Sequence, residues 1–113
     1  MLDNDCLFCK IIKGEIPSAK VYEDEEMHVF KDIAPKAKVH LLAVPKDHYK
    51  LLSEMDESRA ETLSHILAKL PEIAEKNGCD NGYRLIVNQG DDAGQTVFHL
   101  HVHILGGENL PFE

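Results

Sequence analysis

The chain has 113 residues, 43% of them hydrophobic, which suits one small domain with a modest core and little reserve. A formal charge of −8 argues against a nucleic-acid groove, which needs a basic surface. No apolar run approaches the ~20 residues that span a bilayer, and the polar start from Met1 to Asp5 is unlike a secretory signal, so a cytoplasmic protein is expected.

In chain order, residues 7–12 read as a short helix closed by Lys13, Gly14 and Pro17. Strands are expected at about 20–23, 26–32 and 38–45, the last with Val39, Leu41, Ala43 and Pro45 opposing His40, Leu42 and Val44. Leu63, Ile66, Leu67, Leu70, Ile73 and Ala74 then recur at helical spacing, with Asn77 and Gly78 as a stop. Ser58 with Glu61 offers a capping box in competition with Asp56 as N-cap. Pro71 lies inside this pattern, and a kink or split about Leu70 is expected there. Two more strands, 83–88 and 98–105, complete an α+β order that suggests an antiparallel meander with one helix packed on it.

Between those last strands runs a polar loop from Asn88 through Gly90, Asp91, Asp92 and Gly94 to Gln95 and Thr96. Glycine lets such a backbone approach an anion closely, although the same residues make ordinary turns. His99, His101 and His103 follow. On a strand they share one face while Phe98, Leu100, Val102 and Ile104 take the other. Neighbours in the row stand roughly 6.6 Å apart and the outer pair roughly 13 Å, too far for all three to hold one ion. Three readings stay open: a pair such as His101 and His103 on one metal, a central nucleophile whose neighbours hold anionic oxygens, or a histidine-rich strand edge. Cys6 and Cys9 form a C-x-x-C that suits zinc, redox chemistry or an inert pair, and a disulfide is disfavoured in a reducing compartment. Cys79 has no neighbouring partner in sequence.

The run Gly94 to Gly107 (GQTVFHLHVHILGG) resembles the signature of the histidine triad (HIT) superfamily, in particular its Hint-like branch of nucleoside phosphoramidases. Cys6 to Pro17, Val21 to Asp24, Phe30 to Pro35, Val39 to His48 and Gly82 to Gly90 extend the resemblance over essentially the whole chain, in family order.

The resemblance implies a five-stranded antiparallel sheet with one long helix and a short N-terminal helix. It also implies a homodimer paired through the long helix and the 83–88 strand. His101 matches the nucleophile that attacks the α-phosphorus of a purine nucleoside 5′-phosphoramidate, giving a nucleotidyl-histidine that water hydrolyses. His99 and His103 complete the triad, and His40 matches a supporting fourth histidine. His103 and Asn88 match phosphate-binding positions. Gly94, Gln95 and Thr96 would hold phosphate oxygens beside the departing amine, Thr96 standing where serine is usual. Asp32 matches the acid that binds the ribose hydroxyls, and Leu7, Phe8, Ile11, Phe30 and Ile33 would wall the base pocket. For Ile11 and Phe30, core packing explains the residue equally well.

Some bacterial relatives also imply a structural zinc at Cys6, Cys9, His48 and His99, one per subunit. Phe112 stands where the family often carries a tryptophan that reaches the partner's site. The alternatives are a dinucleoside polyphosphate hydrolase, which shares the triad, or a non-catalytic nucleotide- or zinc-binding regulatory dimer. A galactose-1-phosphate type transferase fits less well, because that branch replaces the third histidine and here His103 is present.

Overall fold

The structure, a computed structural model, describes residues 2–111, so Phe112 lies outside the described residues. Cys6 starts the first helix, α1 (Leu7–Ile12): its sulfur accepts from the Cys9 N–H, satisfying one of the free donors of the first turn. The chain then forms β1 (Lys20–Glu23), β2 (Met27–Lys31) and β3 (Val39–Pro45), the long helix α2 (Glu57–Lys76), and finally β4 (Tyr83–Ile86) and β5 (Val102–Gly106). The five strands make one antiparallel sheet.

Alternation sorts side chains onto two faces. Met27 and Val29 of β2, Leu41 and Ala43 of β3, and Val102 and Ile104 of β5 point to the face that α2 covers with Ile66, Leu70, Ile73 and Ala74. Phe30, Leu42 and Val44 point to the other face, where α1 closes over them with Phe8, Cys9 and Ile11. Cys79 is buried on the α2 side.

Several expectations need correction. The strand order is β1-β2-β3-β5-β4 and not a simple meander: α2 carries the chain across the sheet to the outer strand β4, and β5 returns between β3 and β4. Pro71 does not split the long helix, which runs unbroken from Glu57 to Lys76. Buried Leu70, Ile73 and Ala74 hold the turns around it to the sheet, while Pro71 and Leu67 are on the exposed side, where water can meet the Leu67 carbonyl that proline leaves without a donor. Asp56, not the Ser58 and Glu61 pair, caps this helix, its Oδ1 accepting from the Arg59 N–H at 2.8 Å. β4 ends at Ile86, two residues short of the expected strand. The last strand begins only at Val102, so His99 to His101 precede the ladder. No helix among the described residues is long and apolar enough to cross a membrane.

Candidate active site and metal centre

β3 and β5 are paired so that Leu42 faces His103 and His40 faces Leu105, which brings the histidines of both strands onto the α1 face of the sheet. His101 follows immediately before the ladder, with its ring centroid 5.0 Å from that of His103 and 5.1 Å from Phe8, which meets it edge to face. The His101 ring is buried, and its Nδ1 lies 2.7 Å from the His99 carbonyl. A carbonyl only accepts, so the His101 proton is on Nδ1 and the lone pair on Nε2 is left free. Burial lowers the His101 pKa, which keeps the ring neutral and nucleophilic near pH 7.

A second chain of bonds orients His103. The Lys36 N–H donates to His40 Nδ1 at 3.1 Å, so His40 carries its proton on Nε2. That Nε2–H donates to His103 Nδ1 at 2.9 Å, with Asp32 Oδ2 3.4 Å away. His103 is thereby left as an Nε2–H donor beside the free lone pair of His101. Burial and the neighbouring His101 and His40 imidazoles pull its pKa down to about 4, and burial also lowers His40 despite the Asp32 carboxylate. Together the two rings offer a nucleophile and a hydrogen-bond donor for an oxyanion.

The expected nucleoside residues are partly brought together. Phe8, Ile11 and Phe30 are buried in one cluster, with Phe8 and Phe30 edge to face at 5.5 Å. Leu42, which faces His103 in register and belongs to the same cluster, was placed in the alternation of β3 by the sequence but not among the pocket residues. Leu7 is 44% exposed, and Ile33 is 97% exposed and walls nothing within this chain. Asp32 Oδ1 accepts from the Ala34 N–H at 2.8 Å in a local turn, while Oδ2 faces His40.

In the loop, Gly90 and Gly94 take positive φ values of 81° and 77° at either end of the Asp91–Ala93 turn. Gln95 braces it: Oε1 accepts from the Gly90 N–H at 2.8 Å, and Nε2 donates to the Lys50 and Val97 carbonyls, both at 3.2 Å. Both Nε2 protons of Gln95 are therefore used in bracing the loop. Thr96 is exposed and lines a cavity of about 400 Å³ with Cys6, Leu7, His48, Val97 and Phe98. A cavity of about 250 Å³ includes Asp32 and His40. A cavity of about 630 Å³ lies along Gly82, Tyr83, Arg84 and Gly107 and contains none of the histidines.

Cys6, Cys9, His48 and His99 converge, their donor atoms all within 4.8 Å of one another. Cys6 Sγ and Cys9 Sγ lie 3.4 Å and 3.5 Å from His99 Nδ1, Cys9 Sγ lies 3.3 Å from His48 Nδ1, and the two Nδ1 atoms are 3.2 Å apart. Zinc bonds of ~2.3 Å to sulfur and ~2.0 Å to nitrogen give a tetrahedron with edges of about 3.5 Å between sulfur and nitrogen and about 3.3 Å between nitrogens, so the donor set fits zinc. His99 Nε2–H donates to the Pro45 carbonyl at 2.8 Å, aiming the Nδ1 lone pair at the cysteines, and burial holds its pKa down at about 4, in the neutral form that ligates. Burial pushes the Cys9 thiol up to about 11, so a cation must supply the field that makes it a thiolate. A second group of close donor atoms among the described residues is Asp32, His40 and His103, in which His40 bonds His103 and faces Asp32.

Residues 5–111 match the family described as scavenger mRNA decapping enzyme C-term binding. Protein HitA of Neisseria gonorrhoeae is 47% identical over 105 residues, 93% of this chain and 97% of that protein. A solved structure of a HIT family hydrolase from Clostridium thermocellum is 48% identical, covers 98% of this chain and 97% of its own, and superposes with a TM-score of 0.93. The chain belongs to the histidine triad family. A further relative, 42% identical over 96% of this chain and 86% of its own, is the 14 kDa zinc-binding protein of Zea mays.

Proposed function

We propose that this histidine triad protein hydrolyses purine nucleoside 5′-phosphoramidates, or related nucleotidyl conjugates, through a nucleotide covalently attached to His101. One observation carries the reading: the His99 carbonyl fixes the proton of His101 on Nδ1 and leaves Nε2 free beside the His103 donor. His101 Nε2 attacks the α-phosphorus and the phosphorus–nitrogen bond breaks, the departing amine taking a proton from water. His103 Nε2–H holds a phosphoryl oxygen while charge develops there. Water then attacks phosphorus, giving up a proton to the hydroxide left by the first step, which releases the nucleoside monophosphate and returns neutral His101. Asn88, whose side chain makes no hydrogen bond among the described residues, together with Gly94 and Thr96, serves the phosphate.

Asp32 takes the ribose hydroxyls, and Phe8, Ile11, Phe30 and Leu42 take the base, with loose selectivity because so apolar a wall offers few groups to read base edges. With a net charge of −8 the protein supplies no long-range attraction for an anion, so local N–H groups must.

Zinc at Cys6, Cys9, His48 and His99 tethers α1 to the sheet as a structural ion; the tetrahedral spacing and the maize relative's name support it. Exposed Leu67 on α2, exposed Tyr83 and Leu85 on the outer strand and exposed Val87 just after it support pairing of two copies through that side. Free Cys6, Cys9 and Cys79 suit a cytoplasmic setting.

The test is turnover of adenosine 5′-phosphoramidate beside diadenosine tetraphosphate. Preferential release of AMP from the first is expected. Preference for the second assigns a polyphosphate hydrolase, and nucleotide binding without turnover of either assigns a binding protein.

A further inference from the structure

The β5 ladder holds Val102 and His103 but not the three residues before them, so the main chain at the nucleophile is secured by other bonds. There are three. The Leu100 N–H donates to the Tyr49 carbonyl at 2.7 Å, the His99 ring donates from Nε2 to the Pro45 carbonyl at 2.8 Å, and the His101 ring donates from Nδ1 to the His99 carbonyl at 2.7 Å. Two of the three run through His99, and the other ring atom of His99, Nδ1, sits among Cys6, Cys9 and His48. One residue thus joins the four-ligand cluster to the bond that decides which nitrogen of His101 is free.

The geometry points to a second task for the Cys6, Cys9, His48 and His99 centre: when it holds a metal ion it immobilises the His99 main chain, whose carbonyl then keeps His101 in the tautomer with Nε2 free. His99 is accordingly a positioning residue and does not touch substrate. This deepens the proposed function and rests on it, both for the nucleophile and for the metal.

The physical basis is the small difference between the two neutral imidazole tautomers. A fixed acceptor on Nδ1 selects one of them; a wandering acceptor lets both be populated and lets the ring turn. Gripped at Nδ1 by an ion and at Nε2 by Pro45, the His99 side chain has little freedom left, and its carbonyl is one residue's length from that anchor. Released from the ion, His99 keeps the Pro45 bond and, at Nδ1, only weak thiol contacts to Cys6 and Cys9 at 3.4 Å and 3.5 Å, and the segment has no ladder to fall back on. Removing such outer partners typically costs ~10–100-fold in activity. A misplacement of ~1 Å at a reacting group costs about 10²-fold. The loss should appear in kcat.

Removing the metal alone confounds this lever with the tether of α1, which carries Phe8. His99→Cys separates the two, because three cysteines and one histidine also hold zinc. The bond to Pro45 and the length of the side chain are lost, while the tether of α1 remains. The experiment uses full-length protein labelled with ¹⁵N in histidine, comparing wild type, zinc-depleted wild type kept reduced, and zinc-loaded His99→Cys. Ring ¹⁵N shifts of His101, kcat and KM on adenosine 5′-phosphoramidate, and AMP affinity are measured for each.

Wild type with zinc should show His101 in one tautomer, protonated at Nδ1. His99→Cys should retain one zinc per chain and bind AMP within about threefold of wild type, yet show mixed tautomers and a kcat lower by ~10–100-fold. Depleted wild type should show the same mixing. A single unchanged His101 tautomer with kcat within about threefold, in a zinc-loaded His99→Cys or in depleted protein that keeps its fold, overturns the proposal, as does wild type that binds no zinc. Failure of the nucleophile reading shows separately, as turnover that survives in His101→Ala whatever the ring shifts do.

Discussion

The two faces of the sheet are built by one alternation and closed in opposite ways. On the α2 face Met27, Val29, Leu41, Ala43, Val102 and Ile104 meet the aliphatic stripe of the helix, and burial of apolar surface is sufficient explanation. On the α1 face the same strands and the segment before β5 bury five imidazoles: His28, His40, His99, His101 and the half-buried His103. Four of these have ring partners that settle a tautomer; His28 has none, its nearest carboxylate being Glu23 at 3.8 Å. A buried ring with arranged partners is a tool, whereas a buried ring without them is a cost.

The contrast can be broken most sharply at His101, the proposed nucleophile. His101→Ala should lower kcat by about 10⁴-fold or more, as expected for a covalent nucleophile, while AMP still binds. Near-normal turnover in steady-state assays contradicts its role.

Leu70→Ala on the opposite face should reverse the pattern. It should cost ~2–5 kcal/mol in urea unfolding, because Leu70 is fully buried between α2 and the sheet, with kcat per folded molecule nearly unchanged. A large fall in kcat without loss of stability would mean that the helix side also serves the chemistry.

Asp32→Asn belongs to the histidine face and should act on binding. Affinity for AMP should fall by ~1.5–3 kcal/mol, and for 2′-deoxy-AMP by less, since a charged hydrogen bond to the ribose is altered. Equal losses in calorimetry remove the ribose role.

His28 gives the smallest effect. His28→Leu should stabilise the fold by about 1 kcal/mol by removing unpartnered polar atoms, with turnover unaltered.

Acid should weaken the histidine face as a whole. Burial lowers His28, His40 and His101, and His103 falls from 6.5 to about 4, so between those values the unfolded chain binds more protons than the folded one. Stability is therefore fullest above pH 6.5 and falls as pH drops toward 4, and His28→Leu should flatten part of that fall. A urea midpoint flat across this range contradicts the burial of neutral rings.

The α2 face was the more legible of the two. Helical spacing located Ile66, Leu70, Ile73 and Ala74, while Leu67 of the same pattern is exposed, and the alternation of 39–45 matched both faces of β3. Strand order was not legible, because local period does not say where a 20-residue crossover helix sets the chain down. Pro71 misled because packing on both sides of it outweighs one lost hydrogen bond.

On the histidine face, the family resemblance grouped Cys6, Cys9, His48 and His99, and the structure brings those four donors together. What stayed hidden were roles set by tertiary partners. Gln95 is consumed by backbone groups from Lys50 and Val97, Ile33 turns outward, and His99 leaves the ladder to meet the cysteines.

The most direct measurement is mass spectrometry of a single turnover of adenosine 5′-phosphoramidate, quenched without acid and digested. An adenylyl group on the peptide containing His101, localised to that residue and absent from His101→Ala, is the expected result. Turnover with no protein-bound nucleotide, or with the adduct on His99 or His103, contradicts the assignment of His101 as nucleophile.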